Sequence, residues 1–213
     1  MKLSRYLLIV LMLVAPAFCQ EPTASSLAQK VDHYYDHLHS LKVHFAETYA
    51  GIGTSRTEEG TLLLSKPSEM RWDYEQPTRK LFLIDGKFAY FYVLGDNKAE
   101  KIEAKKLDDL RSPLRFLLGK THLESEMNNL HLTRSAPTDF DLEGIPKGME
   151  NRVSRVTITA TPTGQILALR IEERDGAVTT FKFSDFDTAP KLGPEAFRFE
   201  PPTGVTVVQG SLH

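Results

Sequence analysis

His33 and His37 stand one helical turn apart with Asp36 beside the second, in the histidine-x-x-carboxylate-histidine order that some zinc sites use. Histidines at i and i+4 share a helix face and can reach one tetrahedral ion. The carboxylate is Asp, however, one methylene shorter than the Glu that serves as base in such sites. Both histidines also fall off the apolar stripe of their segment, which turns them to solvent, so no metal site is expected. His39 and His44 lie nearby without improving that geometry. Asp108-Asp109 and Glu172-Glu173 are adjacent acids. Neighbours along a strand point to opposite sides, so Glu172 and Glu173 do not form an acid–base pair there. Glycine-rich phosphate loops, nucleophile elbows and dinucleotide fingerprints are absent from the sequence. The expectation is a protein with no catalytic residue and no cofactor, and therefore not an enzyme.

Arg71 differs from the other charges. It lies between Met70 and Trp72, the single tryptophan of the chain, in a strand-like run. A guanidinium near apolar surface is costly unless its donors find acceptors. The alternative is an edge arginine whose stem lies along the surface while its head stays in water. A second ambiguity is the run Phe88-Ala89-Tyr90-Phe91-Tyr92-Val93-Leu94, which is apolar at both parities and so buries both faces. It reads equally as a central strand between two layers and as a wall between protein and an apolar cavity.

The elements that must position these residues follow from periodicity. Ser26-Leu27-Ala28-Gln29 fits a helix-starting capping box. Leu27, Val31, Tyr34, Leu38, Leu41 and Phe45 then recur at helical spacing, which predicts an amphipathic helix of about four to five turns over 27–45. Near Val43, Phe45 and Thr48 alternation begins and a strand can start. Strand-like runs follow at 60–65, 69–74, 80–84, 87–94 and 99–105. Lys66-Pro67-Ser68 breaks the first two, Asp85-Gly86 is a hairpin signal, and Gly95-Asp96-Asn97 is a further turn. Pro113 and Gly119 bracket a short helix over 112–119. Residues 137–151, rich in Gly, Pro and acids, read as a long surface loop. Val156 to Ala160, Leu167 to Ile171 and Phe181 with Phe183 mark three more alternating strands, and 205–208 closes the chain. Hairpin-linked strands in this number predict one large, curled antiparallel sheet.

The chain has 213 residues, 41% of them hydrophobic and 25% charged, as a single globular domain would. Lys2 and Arg5, the apolar run 6–14, and then Ala15-Pro16-Ala17 or Ala17-Phe18-Cys19 have the layout of a secretory signal, assigned to residues 1–19. Lipid attachment at Cys19 would want a small residue before it, where Phe18 stands, so ordinary cleavage before Gln20 is expected. That leaves 20–213 as one domain without cysteine. Without Lys2 and Arg5 the basic count falls from 26 to 24 against 28 acids, a net charge near −4, and no basic block suits nucleic acid.

Gly60-Thr61-Leu62-Leu63-Leu64-Ser65-Lys66-Pro67-Ser68-Glu69-Met70-Arg71-Trp72-Asp73-Tyr74-Glu75-Gln76-Pro77 resembles the signature of the LolA family of outer-membrane lipoprotein carriers. Asp85-Gly86-Lys87, Ser112-Pro113-Leu114 with Leu117-Leu118, and the ending Phe197-Arg198-Phe199-Glu200-Pro201-Pro202-Thr203-Gly204-Val205 are similar to the family in order. Met70, where an aromatic is common, and Tyr90 or Phe91, where Trp is frequent, depart from it. The resemblance implies an α+β fold, an unclosed antiparallel β-barrel with helices forming a lid over an apolar cavity. It implies that Arg71 holds the lid and that Met70, Trp72, Phe88, Tyr90, Tyr92, Leu114, Leu117 and Leu118 line the cavity. It further implies a monomeric periplasmic chaperone that takes acylated lipoproteins from an inner-membrane lipoprotein-releasing transporter to an outer-membrane acceptor. The alternative is a carrier or sensor of another lipid on the same fold.

Overall fold

The computed structural model describes residues 22–107 and 122–210. The expected leader and the expected short helix at 112–119 lie outside these residues. Helix α1 runs Ala24–His37. Its cap is Thr23, three residues before the expected box: Thr23 Oγ1 accepts from the Ser26 amide and Ser26 Oγ from the Thr23 amide, each at 3.1 Å. The helix ends about two turns earlier than the stripe predicts. Strand β1, Ser40–Gly51, takes over, and Leu41, Val43 and Phe45 are buried by alternation. Leu41 and Phe45 satisfy both periods, whereas Val43 satisfies only the strand period, which decides the matter.

Strands β2 (Thr54–Ser65), β3 (Glu69–Gln76), β4 (Lys80–Asp85), β5 (Phe88–Val93) and β6 (Lys98–Glu103) follow as a meander. After α2 (Leu123–Glu126) come β7 (Met127–Ser135), β8 (Phe140–Pro146), β9 (Val153–Ala160), β10 (Ile166–Glu173) and β11 (Val178–Asp187). The expected loop at 137–151 thus contains strand β8. Its Phe140, Leu142, Gly144 and Pro146 face inward, and its acids are satisfied across strands: Asp141 accepts from Arg134 at 2.7 and 3.0 Å and from Thr159 at 2.6 Å. Acids in a strand read as loop only while their partners are unknown. A 3-10 turn, Pro194–Phe197, precedes the last strand, β12 (Thr206–Gln209).

The described strands form one sheet in the order β12-β6-β5-β4-β3-β2-β1-β11-β10-β9-β8-β7, antiparallel except where β12 pairs with β6. Its two edge strands, β7 and β12, do not pair, so the barrel is unclosed. Curvature follows from contacts between strands distant in that order. Trp72 on β3 meets Phe181 on β11 at 5.5 Å between ring centroids, although β1 and β2 lie between them. A flat sheet would hold those strands about 14 Å apart at ~4.8 Å per step. Edge strand β7 carries two register irregularities and a positive φ of 54° at Asn129, devices that twist an edge away from further pairing.

Candidate functional site: an apolar inner face covered by helix α1

Alternation along eight strands aims one set of side chains at the concave side. Phe45, Leu62, Met70, Trp72, Phe82, Phe140, Leu142, Val156, Ile158, Leu169, Phe181 and Phe183 form one buried cluster with Leu27, Val31 and Tyr35 of α1. Its centre is aromatic. Phe45 packs edge-on against Trp72 at 4.6 Å and against Tyr74 at 4.9 Å. Trp72 is 1% exposed, yet its indole Nε1–H has no hydrogen-bond partner among the described residues. Leaving such a donor unmet costs about 1–3 kcal/mol.

Helix α1 crosses this face and is fastened at three places. Lys66, in the turn between β2 and β3, donates from Nζ to the Tyr35 carbonyl in the last turn of the helix. The Tyr35 hydroxyl accepts from the Ile166 amide at 3.2 Å. Asp32 accepts from the Leu123 amide at 3.1 and 3.2 Å, joining α1 to α2, with His122 Nδ1 3.6 Å away. Burial pushes the Tyr35 phenol up and the Lys66 ammonium down, the latter opposed by Asp36. Burial also raises the Asp32 carboxyl, against the lowering effect of the Leu123 amide and His122. At Gly164 the helix comes close enough that a Cβ would stand 2.1 Å from the Lys30 carbonyl oxygen.

The residues expected to line the cavity divide between two faces. Met70 and Trp72 point inward. Arg71, of opposite parity, points outward, together with Phe88, Tyr90 and Tyr92, which the ladder places in register with β3 and β4 on that side. Arg71 donates from Nε and Nη2 to Asp73 at 2.6 and 3.0 Å, and from Nη1 to the Ala196 carbonyl at 3.1 Å. Tyr90 stacks on Phe199 at 4.9 Å. The doubly apolar run on β5 is therefore explained by core on one side and the chain's own C-terminal segment on the other. Beside that segment lies an open groove of ≈ 700 Å³ over Leu63, Leu81 and Tyr92. Leu114, Leu117 and Leu118 lie outside the described residues.

Two features were not singled out by sequence reasoning. Lys66 stands in the break between two strands and in the stretch that carries the family resemblance, with no role expected of it. Glu47 and Glu58, 8% and 6% exposed, face each other on β1 and β2 at inward positions. Their signal was available, since both fall on the inward parity of their strands. His33 and His37 are exposed, with their rings 4.0 Å apart and His37 Nδ1 2.8 Å from the His33 carbonyl. Among the described residues no three His, Cys, Asp or Glu side chains are grouped to hold a metal ion, and no helix is long and apolar enough to cross a membrane.

The model of the outer membrane lipoprotein carrier protein LolA matches residues 36–200. An outer-membrane lipoprotein carrier protein of Nitrosomonas europaea is 26% identical over 88% of this chain and 91% of its own. That of Nitrosospira multiformis is 29% identical over 82% and 84%. In fold, the chain is similar to an uncharacterized conserved protein of Thermus thermophilus, with a TM-score of 0.58, 11% identity, and 88% and 99% of the two chains covered. With the family model spanning most of its length and relatives carrying the same description, the chain belongs to the LolA family of outer-membrane lipoprotein carrier proteins.

Proposed function

We propose that this protein is a periplasmic chaperone that carries acylated lipoproteins. It would receive them from a lipoprotein-releasing transporter in the inner membrane and hand them to an acceptor at the outer membrane, acting as a monomer and without catalysis. The observation that carries the reading is the concave apolar face beneath helix α1, in a chain of this family. Acyl chains gain ~0.8 kcal/mol per methylene on leaving water, so an anchor of two or three chains needs a large apolar surface to travel on. The cluster around Phe45, Trp72 and Phe181 supplies such a surface.

Helix α1 is the cover in this reading. The holding role expected of Arg71 is assigned to Lys66, because Lys66 reaches the helix and Arg71 reaches the C-terminal turn. Displacing the cover costs the Lys66, Tyr35 and Asp32 contacts, which lowers the net affinity for cargo and permits release. The test is displacement of a hydrophobic dye from the mature protein by an acylated lipoprotein, its non-acylated form and a phospholipid. Displacement by the acylated lipoprotein alone is expected. Equal displacement by phospholipid would favour a carrier of another lipid, and failure of every competitor would end the reading.

A further inference from the structure

Along four consecutive strands the inward-facing residues change from apolar to polar, on β3 and β4 one inward position before β1 and β2, since Tyr74 pairs with Gly60 and Gly60 with Phe45. On β1 the sequence inward is Leu41, Val43, Phe45 and then Glu47; on β2, counted in the matching direction, it is Leu64, Leu62, Gly60 and then Glu58. On β3 it is Met70, Trp72 and then Tyr74, and on β4 Ile84, Phe82 and then Lys80. The ladder sets Glu47 opposite Glu58 and Tyr74 opposite Lys80. Two carboxylates directly across a ladder repel unless each has its own partner. Each does: Tyr74 donates its hydroxyl to Glu47 at 2.9 Å, and Lys80 Nζ lies 2.7 and 2.8 Å from the two oxygens of Glu58. Lys80 also sits 4.1 Å over the Tyr74 ring, and Arg56 Nε lies 3.4 Å from Glu58, so the four strands share one network.

The backbone is adapted to this change. The β2–β3 register shifts between Glu59 and Gly60, and a Cβ on Gly60 would lie 1.9 Å from the Asp73 carbonyl oxygen. A bulge therefore brings β3 against β2 where the apolar stretch ends. From Leu41 to Glu47 that stretch is six residues, about 20 Å at ~3.3 Å per residue.

We propose that Glu47, Glu58, Tyr74 and Lys80 form a polar stop that fixes the length of acyl chain the inner face accepts. This rests on the reading that acyl chains lie on that face. A methyl end driven past Phe45 must bury itself against carboxylates and an ammonium that already satisfy one another, and breaking those contacts has no return. Chains shorter than the stretch leave apolar surface uncovered, whereas longer ones meet the network.

The experiment is competition against a bound hydrophobic dye by a homologous series of saturated fatty acids, repeated with the matching lysophospholipids. The full mature chain is compared with Glu47→Leu/Tyr74→Phe and with Glu58→Met/Lys80→Met, each checked for folding by circular dichroism. For wild type, affinity should rise about fourfold per added methylene and then stop rising at a fixed length. In either folded variant the rise should continue to longer chains. The same ceiling in wild type and variants would overturn the stop. So would a changed preference between carboxylate and phosphodiester heads at an unchanged ceiling, because the network would then meet the polar end of the ligand. Should wild type bind no chain in the series while the dye still binds, the acyl-carrier reading itself fails.

Discussion

Trp72 sits where the inner face is densest, edge-on to Phe45 and Phe181. Trp72→Ala should cost about 3–5 kcal/mol in chemical denaturation, the range for emptying an aromatic core site. Arg71, its neighbour in sequence, acts elsewhere. Arg71→Leu removes the ion pair with Asp73 and the bond to the Ala196 carbonyl. The expected result is a loss of about 1–2 kcal/mol and faster proteolysis within 194–200, with dye binding on the inner face unchanged. Lys66→Met should do the reverse: little change in C-terminal proteolysis, but easier displacement of α1 and tighter retention of bound dye. Asp32 gives a pH signature. Its carboxyl is raised above the ordinary 3.8, first by burial, with Asp36 adding to the rise and the Leu123 amide and His122 opposing it. The folded protein therefore holds this proton more tightly than the unfolded chain. Its contribution to stability is complete below that ordinary value and is lost as pH rises through the raised one. Asp32→Asn should flatten this part of the dependence of the melting temperature on pH, and a wild-type slope in the variant would contradict the assignment.

At the scale of elements, the strands with clean alternation and marked turns are readable in the sequence: β3 to β6 and β9 to β11 lie close to where periodicity places them, whereas β2 begins six residues before its expected run. What failed had specific causes. The helix was overextended because Leu41 and Phe45 fit two periods at once, and β8 was lost because Asp141 and Glu143 find their cations and hydroxyls only on other strands. Strand β7, bulged twice, has no regular period to find. The site divided along the same line. The resemblance puts Met70, Arg71 and Trp72 in one motif without saying which face each takes, and Lys66 becomes legible only when α1 is seen ending beside it. The seating of α1 also depends on Gly164, which has a φ of +96° and lies beneath the Lys30 carbonyl. Gly164→Ala should destabilise the protein by more than about 1 kcal/mol in thermal or chemical unfolding and should raise dye uptake, because the helix must lift to admit a methyl group.

For the whole molecule, two apolar faces are covered by two different parts of one chain. The inner face lies beneath helix α1, and the outer face beneath the segment that carries Phe197 and Phe199, with Phe197 4% exposed. A sheet of this length could shelter a ligand on either side, and the outer side carries an open groove over Leu63, Leu81 and Tyr92. Inner-face binding accounts for the cover held by a few polar contacts and for the polar residues that end the apolar stretch. The most direct measurement places a photo-crosslinking residue at position 70, facing inward, or at position 90, facing outward, and exposes each protein to an acylated lipoprotein and to its non-acylated form. Crosslinks to the acylated cargo from position 70 and not from position 90, with none to the non-acylated form, are the predicted result. Crosslinks from position 90 alone, or equal crosslinking of both forms, would contradict acyl-chain binding beneath helix α1.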